Sequence, residues 1–271
     1  MKIGVFDSGF GGLQVFGGFI KKLPEYDFLY LGDSARAPYG DLSQEIIYKY
    51  TEQAVDFLFN KDCELVILAC NTASSKALRK IQQEYLLNNY PNRRVLGVII
   101  PASEIAIKND AKKIGIIATE SSVSSKSFIR ELKKLKKGVK IFQQACPLLV
   151  PFIESGNTSP DIIDSVLKNY LTPLVEKKID TLILGCTHYG LLKKQIAETL
   201  KKLGSAAQII DESETLPDKL SNYLWRHPEI EEKLSKNSKR KYFTTKDPEK
   251  IEKIGSQIIG EEISAVNVKL G

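Results

Sequence analysis

The sequence predicts an α/β protein of two similar halves, each built on a parallel sheet, related by pseudo-twofold symmetry. The active site is expected in the cleft between them. Three observations carry this. Apolar strand candidates start near positions 2, 28, 65 and 95, and again near 114, 140, 181 and 207; the gaps of 26, 37 and 30 return as 26, 41 and 26. Helical patterns fill those gaps, and strands alternating with helices imply βαβ units and parallel sheets. Finally, ELVILACNTA at 64–73 aligns without a gap on DTLILGCTHY at 180–189.

The first set of strands is read at about 2–7, 28–32, 65–69 and 95–99, the second at about 114–118, 140–144, 181–185 and 207–211. Each is an apolar run of strand length closed by polar or small residues. Helical periodicity covers 46–60, 75–87, 125–135, 159–177 and 191–203. The opening strands resemble each other, KIGVF at 2–6 and KIGII at 113–117, but end differently, in Asp7-Ser8-Gly9 and Ala118-Thr119-Glu120. Beyond 211 come helical segments at 214–225 and 248–259, a polar stretch, and a late strand near 265–268. These have no counterpart in the second half, so the tail is expected to pack back on the first. The expected domains are 1–97 with 212–271, and 98–211.

Bulk properties narrow the class. The 271 residues suffice for a real core, and no run approaches the roughly 18 apolar residues of a membrane span. Met1-Lys2 leads directly into a strand without a signal-peptide pattern. Four cysteines without a CxxC pair fit a reducing compartment, so a cytoplasmic location is expected. The net charge of +6 is mild, with its excess at 133–140 and 236–250. No aromatic stacking motif accompanies those lysines, so they read as solvated helix faces and a loop, and no nucleic-acid partner is expected.

Cys70 and Cys186 close matching apolar strands and precede helix-opening residues, Asn71-Thr72 and Thr187-His188. Ligands of open α/β sheets bind at such carboxyl ends. A free thiol, with a pKa near 8.5, is lowered by a helix N-terminus. Either cysteine alone would pass as a packing residue, as Cys63 and Cys146 do; the matched pair argues for one reactive group on each side of one carbon. Asp7-Ser8-Gly9-Phe10-Gly11-Gly12 is neither a P-loop nor a dinucleotide fingerprint. It is a turn whose backbone donors suit a carboxylate, with Asp7 as a cap or a proton carrier. His188 adjoins Cys186, whereas His227, before Pro228, reads as surface. Glu154 follows the proline-bounded run CPLLVPFIE and sits either near the cleft or in solvent. Pro38-Tyr39-Gly40 is a tight turn past the second strand.

Together, DSGFGG at 7–12, PYG at 38–40, CNTA at 70–73, CPLLVPFIESG at 146–156 and GCTHYG at 185–190 resemble the glutamate racemases of the cofactor-independent Asp/Glu racemase superfamily, over essentially the whole chain. The resemblance implies interconversion of L- and D-glutamate without a cofactor or metal, supplying D-glutamate for peptidoglycan, in a protein expected to be a homodimer. It implies that Cys70 serves the α-proton of the D-enantiomer and Cys186 that of the L-enantiomer. Asp7 would assist Cys70, and His188, with Glu154 as a further acid, would assist Cys186. Substrate contacts carried over by the resemblance are Asp7, Ser8, Pro38, Tyr39, Gly40, Cys70, Asn71, Thr72, Thr119, Ser122, Cys186, Thr187 and His188. At 122 the family's usual threonine is a serine here, which keeps the hydroxyl and loses a methyl.

Four other readings compete. A cysteine hydrolase or amidase would use Cys70 as nucleophile and His188 as base, leaving Cys186 unexplained. A two-lobed binding protein would close on its ligand without turnover. A zinc site at Cys70, Cys186 and His188 lacks a fourth ligand. Aspartate is the nearest alternative substrate, because spacing does not measure side-chain length.

Overall fold

A computed structural model describes residues 1–156 and 160–271. Among these, ten strands form two all-parallel sheets. The first set is β1 (Lys2–Asp7), β2 (Phe28–Gly32), β3 (Cys63–Leu68) and β4 (Arg94–Gly97). The second is β5 (Lys113–Ala118), β6 (Lys140–Ala145), β7 (Thr181–Gly185) and β8 (Gln208–Ile210). Two further strands, β9 (Arg240–Thr244) and β10 (Ala265–Asn267), come late in the chain. The six-stranded sheet runs β10-β9-β2-β1-β3-β4 and the four-stranded sheet β6-β5-β7-β8. Stripped of β9 and β10, the first sheet has the second's order, each half placing its strands second, first, third, fourth. The repeat seen in the sequence is therefore a repeat of topology.

Parallel strands covered on both faces read as continuous apolar runs, and side chains alternate between faces. Ile3 and Val5 of β1 turn to one face and Phe6 to the other. In the second sheet Leu182 and Leu184 of β7 share the first group's cluster, while Ile183 belongs to a separate one. One apolar cluster thus runs from β1 to β7 and joins the two sheets, through the helices Gly12–Lys22 and Glu212–Arg226, which pack on each other. The shared core leaves the carboxyl ends of both sheets free to converge.

Two expectations need correction. The stretch 236–250 is not merely helix face and loop, because it contains β9, whose Tyr242, Phe243 and Thr244 are buried. Arg240 there donates to the carbonyls of Pro24 and Tyr26 at 2.6 Å each, so its charge is spent within the fold. The single helix read at 75–87 is broken into Asn71–Lys76, Leu78–Lys80, a π-helical turn Ile81–Tyr85 and Leu86–Asn89. The helix read from 159 is described from Pro160 to Glu176; Ser159 lies outside the described residues. Among the described residues no helix is long and apolar enough to cross a membrane.

Candidate active site

Both candidate thiols sit one or two residues past a central strand. Cys70 follows β3 and caps the helix Asn71–Lys76; Cys186 follows β7 and opens the 3-10 turn Thr187–Leu192. Both are buried. They line one small cavity with Ser8, Pro38, Tyr39, Gly40, Asn71, Thr72, Thr119, Glu154, Thr187 and His188. Its volume is about 20 Å³, little more than the 10–15 Å³ one water occupies. A hollow of about 690 Å³ lies elsewhere, beside Gly17 and Ile258, and none of the candidate residues line it.

The first half supplies a carboxylate and a hydroxyl. Asp7, fully buried at the end of β1, accepts from the Gly9 N–H at 3.0 Å and from the Thr187 hydroxyl at 3.1 Å. Burial raises the Asp7 pKa, and the nearby His188, the backbone N–H groups of Gly9 and Gly12 and the Thr187 hydroxyl offset this only in part. The Ser8 hydroxyl lies 3.2 Å from Cys70 Sγ. The turn needs its glycines: a Cβ on Gly11 would stand 2.7 Å from both His188 Nδ1 and Thr187 Oγ1. The loop after β1 is thus pressed against the loop after β7.

The second half supplies an imidazole. His188 Nε2 is 2.8 Å from Glu154 Oε1, and Nδ1 is 3.9 Å from Cys186 Sγ. Burial tends to raise the Glu154 pKa, but the hydrogen bonds and charges of His188 and Lys250 outweigh it and hold it below the usual range. An ionised carboxylate only accepts, so the proton of this hydrogen bond belongs to Nε2. In neutral His188 the lone pair is then on Nδ1, the atom nearest the thiol. Glu154 accordingly contacts His188, whose other ring nitrogen is the one nearer Cys186.

Neither thiol is lowered. Burial pushes Cys70 up to about 11, with the Asp7 charge adding to the rise and Ser8 opposing it. Burial raises Cys186 well above its ordinary value, opposed by the His188 N–H and reinforced by Cys70. A helix N-terminus contributes about 0.3–2 kcal/mol, whereas full burial of an ionisable group costs up to about 4–7 kcal/mol. Burial therefore wins, and both thiols rest protonated, contrary to the helix-terminus expectation.

The remaining polar wall is a triangle of hydroxyls bridging the halves. Thr72 Oγ1 lies 3.0 Å from Thr119 Oγ1 and 3.4 Å from Ser122 Oγ, and Thr119 donates to Ser122 at 3.1 Å. Gly40 approaches Thr119 closely enough that a Cβ would stand 3.1 Å from its Cβ. Tyr39 is anchored by donating to Asp33 at 2.5 Å. Every candidate residue is therefore in or directly against one cavity, with Asp7 and Ser122 bonded to its walls. His227 is half-exposed beside Tyr223 and Glu229. Cys63 and Cys146 are buried in the core.

Four contacts were not read from the sequence. Lys250 Nζ pairs with Glu154 Oε2 at 2.8 Å and lies over the Phe10 ring, 5.1 Å from its centroid. The Phe10 ring meets His188 edge-on at 5.0 Å. Glu212 accepts from the Asn71 amide at 2.8 Å. Only Glu212 carried a local signal, as an acid just past a strand's carboxyl end like Asp7.

A model of the family described as Asp/Glu/Hydantoin racemase matches residues 22–214. The chain is 38% identical to a glutamate racemase of a Sulfurihydrogenibium species over 263 residues, covering 96% of this chain and 95% of that one. Among solved structures, a glutamate racemase isoform from Bacillus anthracis superposes with a TM-score of 0.88 at 35% identity, over 99% of this chain and 97% of that one. A glutamate racemase from Francisella tularensis, solved in complex with D-glutamate, gives 0.86 at 31% identity, with the same coverage. With its parallel sheets and paired strand-end cysteines, the chain belongs to the Asp/Glu/Hydantoin racemase family.

Proposed function

We propose that this protein is an amino-acid racemase that interconverts L- and D-glutamate by a two-thiol mechanism. The observation that carries the reading is the placement of Cys70 and Cys186 at matching strand ends on one cavity. The choice of glutamate is supported by the whole-length similarity to glutamate racemases, one of them solved with D-glutamate.

In this reading the substrate's ammonium pairs with Asp7, and its carboxylates take the hydroxyls and N–H groups at Asn71, Thr72, Thr119, Ser122 and Thr187. Ser8, Pro38, Tyr39 and Gly40 complete the enclosure. The α-proton beside a carboxylate is a very weak acid, so the base must be strong. A thiolate stripped of water is such a base, consistent with the raised thiols. For L-glutamate, His188 Nδ1 takes the Cys186 proton, the Cys186 thiolate removes the α-proton, and the Cys70 thiol delivers a proton to the opposite face. For D-glutamate the roles reverse, with Asp7 taking the Cys70 proton and Ser8 donating to its thiolate. Glu154 fixes the His188 tautomer and stabilises its charged form. Two one-proton transfers on opposite faces invert the carbon and leave Cys186 a thiol, Cys70 a thiolate and His188 protonated; after product release Cys70 regains a proton from solvent and His188 gives one up, which restores the resting site.

We assign 1–97 with 212–271 to one domain and 98–211 to the other, supported by β9 and β10 lying in the first sheet. A homodimer, a cytoplasmic location and supply of D-glutamate to the cell wall rest on the resemblance. The test is a circular-dichroism assay with both enantiomers of glutamate and of aspartate. Racemisation of glutamate with at most a few per cent of that rate on aspartate is expected; the reverse preference would overturn the substrate assignment.

A further inference from the structure

Glu212 is a deeply buried carboxylate, bonded to a cavity residue, that the mechanism above leaves idle. It opens the helix Glu212–Arg226 directly after β8, and it is 3% exposed. Its Oε2 accepts from Asn71 Nδ2 at 2.8 Å, tying the start of the tail to the helix that Cys70 caps. Asn71, 2% exposed, is the residue after Cys70 and lines the cavity. Both members of the pair keep a buried oxygen with no protein partner, Asn71 Oδ1 and Glu212 Oε1. Buried polar atoms without partners carry a cost of about the size of a lost hydrogen bond, and Asn71 Oδ1 belongs to a residue that lines the cavity.

We propose that Glu212 is a positioning residue for substrate binding: by holding one amide hydrogen of Asn71, it fixes the amide's orientation and leaves its second hydrogen and Oδ1 free for the amino acid's polar groups. This rests on the amino-acid racemase reading above. An unrestrained asparagine has two nearly isosteric amide orientations, and only one presents a given group to substrate. Burial pushes the Glu212 carboxyl well up, the Asn71 N–H draws it part of the way back, and Asp211 and Asp7 add to the rise. Glu212 Oε2 therefore stands as a buried acceptor that Asn71 reaches at 2.8 Å. Glutamine, a neutral isostere that retains the acceptor, is expected to replace it.

The test is a double-mutant cycle read as KM and kcat for both enantiomers of glutamate. Glu212→Ala is expected to raise KM about tenfold with kcat changed by less than threefold, and Glu212→Gln to restore KM to within about twofold of the parent. If Glu212 acts through Asn71, then Glu212→Ala adds nothing to the KM of Asn71→Ala. Fully additive losses, or an unchanged KM in Glu212→Ala, would overturn the proposal. If Glu212→Ala does not fold, solvent exchange of the two Asn71 side-chain amide protons in the unliganded parent and Glu212→Gln proteins decides: the proton donated to residue 212 is expected to exchange at least tenfold more slowly than its geminal partner in both, and equal exchange of the two in the parent sinks the idea. That readout needs no turnover. Failure of the parent to racemise glutamate would refute the functional reading, while equal exchange would refute only the role of Glu212.

Discussion

Glu154 Oε1 lies 2.8 Å from His188 Nε2, and this bond directs the histidine's other nitrogen toward Cys186. Among the described residues no histidine–carboxylate pair stands behind Cys70, whose side-chain partner is the Ser8 hydroxyl at 3.2 Å. The scaffold is duplicated, but the groups around its two thiols are not. By the repeat in β1 and β5, Asp7 corresponds to Ala118 and Ser8 to Thr119, so the two halves place different side chains at matching strand ends.

Glu154→Gln keeps an acceptor but removes the charge. Charge-assisted hydrogen bonds are roughly twice as strong as neutral ones, a difference of about 1–1.5 kcal/mol or on the order of tenfold. Since the enantiomers are equal in free energy, kcat/KM must fall equally in both directions. The asymmetry appears instead in isotope effects: the effect with [2-²H]-L-glutamate should grow, because proton transfer at Cys186 becomes more limiting, and that with [2-²H]-D-glutamate should shrink. The opposite pattern would reverse the assignment of thiols to enantiomers.

Ser8→Ala tests the other side. A hydrogen bond to a charged group contributes about 1.5–3 kcal/mol, so kcat/KM should fall by about 10- to 100-fold, with the Tm lowered by no more than a few degrees. Here the isotope effect with [2-²H]-D-glutamate should be the one that grows. Equal changes with both labelled enantiomers would remove Ser8 from the Cys70 step.

Burial of Cys70 also has a signature in stability. Its folded pKa of about 11 lies above the unfolded value near 8.5. A raised folded pKa means that the folded state binds the proton more tightly, so the contribution is complete below about pH 8.5 and is lost as pH rises toward 11. Urea unfolding at pH 8, 9.5 and 11 should show parent stability falling faster than that of Cys70→Ala, by one proton's worth of slope. Parallel declines would mean that the thiol is not buried as described. The other cysteines and tyrosines contribute to both proteins and cancel in the comparison.

Much of this was legible in the sequence, for reasons that differ by residue. Buried parallel strands write long apolar runs, so β1 to β8 and the strand-end positions of Cys70 and Cys186 could be read locally. β9 could not, because its apolar part, Tyr242-Phe243, is short and set among lysines. Lys250 and Glu212 reach the site only through tertiary packing, Lys250 across 96 positions to Glu154 and Glu212 across 141 to Asn71. The direction of the thiol pKa values also escaped, since a helix terminus is visible in sequence whereas the depth of burial that overrides it is not.

The central claim is that two thiols work on opposite faces of one carbon, and the direct measurement is the initial-rate reaction of L-glutamate in D₂O with deuterium located by enantiomer. The two-thiol account predicts D-glutamate carrying deuterium at Cα from the first turnovers, because Cys70 delivers a solvent-derived proton, while recovered L-glutamate keeps its protium, because Cys186 returns the proton it removed. Deuterium entering the recovered L-glutamate as fast as the D-glutamate product, or product that retains the original protium, would contradict it.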